Sequence, residues 1–168
     1  MIELTTRAIQ RAILIDYWQR NTTLPNFTPA GWFECDVFVL SDCDYFSEFE
    51  IKTSRSDFKA DANKAPTFDL IQEGQWVTQK GESKHSRLQR ADPTGPRRFY
   101  FVTPENLVQP PEVPHWAGLI YARPSNYRAY LQIIRPAPFL HKAKSPQHRP
   151  DVHTAAYYRH LRNLVSPP

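Results

Sequence analysis

Two strand-like runs separated by four polar residues constrain this chain most. Trp32 to Leu40 (WFECDVFVL) and Tyr45 to Thr53 (YFSEFEIKT) are rich in aromatic and β-branched residues, which suit a pleated, half-buried surface. Ser41-Asp42-Cys43-Asp44 between them is short enough to make the pair an antiparallel hairpin. Side chains alternate along a strand, so Phe49 and Ile51 face one side while Glu48, Glu50 and Lys52 face the other. With the turn centred on Cys43, Asp36 falls opposite Glu50, and Glu34 opposite Lys52. Like charges directly across a strand pair repel, and two carboxylates among aromatic residues cost more still if they are partly buried. A divalent cation would compensate, because Mg²⁺ takes oxygen ligands and commonly uses one or two carboxylates plus a substrate phosphate. A lysine beside such an ion can position the attacking water. The same pattern also describes a solvated strand face with an ordinary Glu34–Lys52 ion pair, and a slip of one residue would put Asp36 and Glu50 on opposite faces.

The remaining chain reads as one α+β unit. Leu4, Ala8, Ile9, Ala12, Ile13 and Tyr17 recur at helical spacing between Glu3 and Arg20, with Thr5 or Thr6 as the cap. A Pro- and Asn-rich loop follows. Ser54-Arg55-Ser56-Asp57 reads as a capped start of a helix that runs to about Lys64 and stops before Pro66. Thr67 to Ser83 is weakly patterned and reads as an insertion with little structure of its own. Lys84 to Arg98 is basic, and strands follow at Phe99–Val102, Gly118–Ala122 and Arg128–Ile134. A basic, Pro-rich linker from His141 leads to a last helix, Val152 to Val165, with Asp151 as cap and Ala155, Tyr158 and Leu161 packing inward. The expected fold is therefore a mixed sheet flanked by helices. Residues 1–140 form the main domain, and 141–168 a linker and helix packed on it.

Composition narrows the class. The chain has 168 residues and a net charge of +4, with 16 Pro against 5 Gly, so its loops should be stiff. No apolar run approaches the roughly 20 residues that span a bilayer, and the first ten residues lack a signal-peptide pattern. Cys35 and Cys43 lie too far apart along an extended segment to be bridged. Free thiols fit a reducing, cytoplasmic compartment. Without CxxC or HExxH spacing, a structural zinc site is not expected.

Asp36, followed fourteen positions later by Glu50-Ile51-Lys52 on two adjacent strands after an N-terminal helix, resembles the PD-(D/E)xK nuclease superfamily. The longer string EIKTSRSDFKAD (Glu50 to Asp61) is similar to the active-site strand and following helix of its small bacterial and phage branch, which includes MmcB-related DNA-repair proteins. Arg98 to Leu107 and Ala117 to Tyr121 resemble the downstream strands of that branch. The likeness covers about Trp32 to Tyr121. It implies a restriction-endonuclease-like fold and Mg²⁺- or Mn²⁺-dependent cleavage of phosphodiester bonds, DNA first, by an endonuclease. It also implies that Asp36 and Glu50 bind the metal with the Ile51 carbonyl, and that Lys52 is the catalytic lysine. Cys35 stands where the family's Pro would be.

Further residues carry two readings each. Glu48 would support a second metal or be a solvated strand residue. Glu34 would reach the site edge or pair with Lys52. Glu3 would supply an acid from the first helix or sit favourably at that helix's N-terminus. Ser54, Arg55 and Ser56 would bind a phosphate or simply start a helix. Lys84-His85 resembles a Lys-His pair of the small branch and would touch the scissile phosphate, or belong to a basic loop. With Arg87, Arg90 and the basic residues Lys142, Lys144, Arg149, Arg159 and Arg162, it would contact nucleic-acid backbone. A charge of +4 permits such a partner without requiring it. The rival functions are a non-catalytic nucleic-acid-binding module on the same fold and a protein-interaction domain. The resemblance also allows a homodimer, since many nucleases of this type dimerise to cut both strands, although the sequence shows no coiled-coil or other assembly signal.

Overall fold

The structure, a computed structural model, describes residues 1–62, 64–72 and 75–165, with the side chains of 68 and 159–165 set aside. Its centre is a six-stranded mixed sheet. In chain order, helix α1 (Thr6–Tyr17) precedes β1 (Asn21–Phe27), β2 (Cys35–Ser41) and β3 (Phe46–Ile51). Helix α2 (Arg55–Asp61), a hairpin of β4 (Thr67–Gln72) and β5 (Gln75–Lys80), and α3 (Lys84–Gln89) follow. Then come β6 (Arg98–Pro104), a 3₁₀ turn (Pro110–Glu112), β7 (Gly118–Arg123), β8 (Tyr130–Arg135) and α4 (His148–Val165). The sheet order is β1-β2-β3-β6-β7-β8. β1, β2 and β3 are antiparallel, β3, β6 and β7 are parallel, and β8 returns antiparallel. This is the α+β architecture expected from the sequence, consistent with a restriction-endonuclease-like fold.

The hairpin has the anticipated register, with Val37 opposite Phe49 and Leu40 opposite Phe46. Asp44, at φ 65, turns the chain, and the Ser41 hydroxyl accepts from the Tyr45 N–H at 3.0 Å. Alternation along these strands splits the interior into two layers. Phe38, Phe46, Phe99, Phe101, Leu119 and Leu88 pack on one face; Val37, Val39, Phe49, Ile51 and Val102 pack on the other, against Ile9 and Ile13 of α1. Parallel strands covered on both faces read as near-continuous apolar runs, as FYFV in β6 does. Gly118 is required where β7 meets β6: a Cβ there would lie 2.4 Å from the Tyr100 ring.

Several expectations are corrected. The Pro- and Asn-rich segment after α1 is the edge strand β1, where Pro25 is tolerated because an edge position can spare an N–H. Its buried Leu24 and Phe27 hold it to the core. The segment from Thr67 is an ordered antiparallel hairpin, with Ile71 opposite Trp76 and Leu70 opposite Val77. The basic stretch begins with α3, capped by Ser83, whose hydroxyl accepts from the Ser86 N–H at 3.1 Å. Helix α2 ends at Asp61, short of Lys64.

The last helix starts at His148, so Asp151 lies in its first turn instead of capping it. His148 is fully buried and edge-on to Phe38 and Phe46, and burial pulls its pKa down. Val152 and Ala155 anchor this helix, whereas Tyr158 is exposed. Leu161, Arg159 and Arg162 lie outside the described side chains. Among the described residues no helix is long and apolar enough to cross a membrane. Cys35 is buried, Cys43 is exposed, and both are free.

Candidate functional site

The hairpin and two short helices bring charged side chains together at the C-terminal end of β3. Glu48 and Glu50 project from the Phe38 face of the sheet, and Lys52 follows where the main chain leaves it, its N–H bonded to the Val102 carbonyl at 3.0 Å. Ser54 caps α2 by accepting from the Asp57 N–H at 3.2 Å. That fixes the helix so that Asp61, at its far end, turns back onto Lys52. α3 carries Lys84 and His85 to the opposite side of the same cluster.

The contacts are dense. The Lys52 ammonium donates to Glu50 Oε1 at 2.9 Å and to Asp61 Oδ1 at 2.6 Å. Lys84 Nζ donates to Glu48 Oε1 at 2.7 Å, Glu50 Oε2 at 2.9 Å and the Glu34 carbonyl at 2.9 Å. Glu48 is fully buried, and its other oxygen accepts from the Trp32 indole N–H at 2.7 Å. His85 Nε2 meets Asp61 Oδ2 at 2.7 Å. Asp36 Oδ2 accepts from the Ile51 N–H at 2.7 Å. Among the described residues, Asp36 is the one carboxylate of the cluster in no ion pair.

Burial and charge set the protonation states. Burial, reinforced by Glu50, raises Asp36 to about 6. Burial also raises Glu48, against the pull of Lys84. For Lys52, burial opposes the charge, but Glu50 and Asp61 outweigh it and hold the ammonium above its ordinary range. Glu48 and Glu50 do the same for Lys84. Asp61 falls below the usual carboxylate range, because His85 and Lys52 outweigh its burial. Four carboxylates, Asp36, Glu48, Glu50 and Asp61, thus face three ammonium groups, Lys52, Lys84 and, 3.6 Å from Asp61, Lys64, which leaves one negative charge in excess before His85 is counted.

A cavity of about 610 Å³ opens on this cluster, lined by Asp36, Glu50, Asp61 and Lys84, with Glu34 and Phe33 at its edge. Among the described residues no three His, Cys, Asp or Glu side chains are gathered to hold a metal. Two carboxylates, Asp36 and Glu50, line the cavity together, and two suffice for a hard cation that keeps water and phosphate as its other ligands. The oxygen donors and the excess negative charge fit a divalent ion of the Mg²⁺ type.

The other sequence candidates fall in varied places. Glu48 is buried under Lys84 and is no solvated strand residue. Lys52 pairs with Glu50 and Asp61, while Glu34 stays exposed at the cavity edge. Glu3 is exposed ahead of α1 and does not line the cavity. Ser54 and Ser56 hydrogen-bond to each other at 3.0 Å, and Arg55 pairs with Glu112 while donating to the Leu107 carbonyl at 2.7 Å. Arg87 and Arg90 both bind Asp92, at 2.8 and 2.7 Å, and Arg87 also stacks over Trp32. Arg149 pairs with Asp44.

Two residues of the site, Asp61 and Trp32, are not among the sequence candidates. Asp61 closes the string that begins at Glu50, and a lysine buried beside one acid commonly needs a second. Trp32 opens the first strand-like run, but nothing local marks its indole as the partner of Glu48.

No family model and no curated protein matches this chain. Among solved structures, the SPO1766 protein of unknown function from Silicibacter pomeroyi shares the fold, with a TM-score of 0.57 and 22% identity over 99% of this chain and 98% of that one.

Proposed function

We propose that the chain is a divalent-metal-dependent nuclease of the PD-(D/E)xK type, acting on DNA with Mg²⁺ or Mn²⁺. The observation that supports this most is Asp36. It is a half-buried carboxylate beside Glu50, oriented by a backbone N–H, in no ion pair, and facing an open cavity. Asp36 and Glu50 would hold the ion, with the Ile51 carbonyl as a third oxygen donor. When bound, such an ion lowers the pKa of an attacking water and stabilises charge growing on phosphorus.

The chain's own residues would do the rest. Lys52, kept cationic by Glu50 and Asp61, acts as a hydrogen-bond donor that orients the water; its raised pKa makes it a poor proton acceptor. Asp61 fixes both the Lys52 ammonium and the His85 ring. Lys84, which lines the cavity, would meet a phosphate oxygen. A second reading, a non-catalytic nucleic-acid-binding module, is favoured by one feature: ammonium groups already occupy both oxygens of Glu50.

Plasmid and oligonucleotide cleavage in Mg²⁺ or Mn²⁺ separates the two. The nuclease reading predicts cleavage that falls by roughly 10²–10³-fold in Lys52→Ala and in Asp36→Asn, while DNA binding by Asp36→Asn survives. DNA binding without cleavage in either ion supports the module and overturns the enzyme.

A further inference from the structure

A second charged site lies on the other face of the sheet. Arg97 and Arg98, at the start of β6, line a cavity of about 290 Å³ with Asn21, Ser41 and Ser47. That face also carries Val39 and Phe49, so the sheet separates this cavity from the carboxylate cluster. The Arg97 guanidinium is clamped between the Tyr45 ring at 3.7 Å and the Phe139 ring at 4.1 Å. Arg98 stacks on Phe139 at 4.2 Å. Sharing one ring puts the two charges about 8 Å apart at most, comparable with the Debye length of about 8 Å at physiological salt. Lys144 approaches Tyr45 from 5.9 Å and adds a third cation.

Nothing described in the chain answers this charge. Neither arginine side chain forms an ion pair or hydrogen bond among the described residues, and the Nε of each is buried without a partner. The acids adjacent in sequence to the lining residues are otherwise engaged or open to water: Asp16 pairs with Arg128, Asp44 with Arg149 and Glu48 with Lys84 on the other face, and Asp42 is exposed. The cavity presents further donors. The Ser41 oxygen already accepts from Tyr45, which leaves its O–H free to donate, and Asn21 uses its side-chain N–H on the Tyr17 carbonyl with a second N–H to spare. Flat guanidinium groups held rigid by stacking are suited to bidentate binding of phosphate oxygens.

We propose that this cavity is an anion site that binds a phosphate group, either free or at the end of a nucleic-acid strand, through Arg97 and Arg98 with Ser41 and Ser47. It stands independently of the nuclease reading. The test follows the melting temperature of the full chain against inorganic phosphate, with ionic strength held constant by chloride. The expected result is a saturable rise for the wild type, with affinity about tenfold or more weaker in Arg98→Gln, the loss expected for a charge-assisted contact. Ser47→Asp places a carboxylate among the arginines; it should melt higher than wild type without phosphate and no longer respond to it. A 5′-phosphorylated trinucleotide compared with its unphosphorylated form tells the two sources apart. Tighter binding than inorganic phosphate, dependent on the 5′-phosphate, assigns a strand end, and equal binding assigns free phosphate. No saturable response in the wild type, or an unchanged response in both variants, overturns the site.

Discussion

The two faces of the central sheet carry charge in opposite ways. On the Phe38 face, Glu48, Glu50 and Asp61 are interlocked with Lys52, Lys84 and His85 at 2.6 to 2.9 Å. On the α1 face, Arg97 and Arg98 lean on aromatic rings with no described acid in contact. The first arrangement ties each cation into the stability of the fold, since removing one partner of a buried pair leaves an uncompensated charge. The second makes the cations available, because cation–π stacking orients a guanidinium while leaving its N–H edges free to bind. The carboxylate cluster is thus held together by its own ion pairs, whereas the arginine pair has no anionic partner among the described residues.

That contrast breaks first if Lys84 proves dispensable. Lys84→Met strands the fully buried Glu48 without its cation, and urea unfolding should show a loss of about 3–5 kcal/mol. A loss below about 1 kcal/mol would mean that the cluster is loosely solvated.

Asp36→Asn should act in the opposite direction, and its pH dependence fixes the sign. The folded-state pKa of Asp36, about 6, lies above its ordinary value of 3.8, so its ionisation destabilises the fold. The penalty is absent below pH 4, where the carboxyl is protonated in both states, grows from pH 4 to 6, and is complete above. In chelator at pH 7 the variant should be more stable than wild type by about 1–2 kcal/mol, discounted for partial exposure. The difference should vanish near pH 3.5. A variant that gains stability while losing cleavage would mark Asp36 as a functional acid held against its preference.

The smallest effect is expected on the other face. Arg98→Gln relieves like-charge repulsion but loses one stacking contact, so its stability should change by no more than about 0.5 kcal/mol. A large loss would make that arginine a structural part of the core.

Much of this was legible in the chain itself. The register of the β2–β3 hairpin followed from the length of the polar break and from alternation, and with it the shared face of Glu48 and Glu50. Ser54 as a helix cap followed from hydroxyl chemistry. β1 was not legible, because Pro25 and two Asn argue locally for a loop, and only its edge position and the burial of Leu24 and Phe27 make it a strand. The β4–β5 hairpin has Leu70, Ile71, Trp76 and Val77 exposed, so it lacks the in-out alternation that betrays a strand. In the site, Asp61, Lys84 and Trp32 come to β3 from separate elements, through tertiary contacts that no spacing encodes. Arg97 and Arg98 read only as part of a basic stretch, since the rings that clamp them come from the β2–β3 turn and from beyond β8.

Diffraction from crystals soaked in Mn²⁺, recorded for its anomalous signal, would show whether Asp36 and Glu50 share a cation. The expected map has one strong peak at coordination distance from both the Asp36 and Glu50 carboxylates, with Lys84 drawn off Glu50. A map without that peak, in which Lys84 still bridges Glu48 and Glu50, would contradict a shared cation.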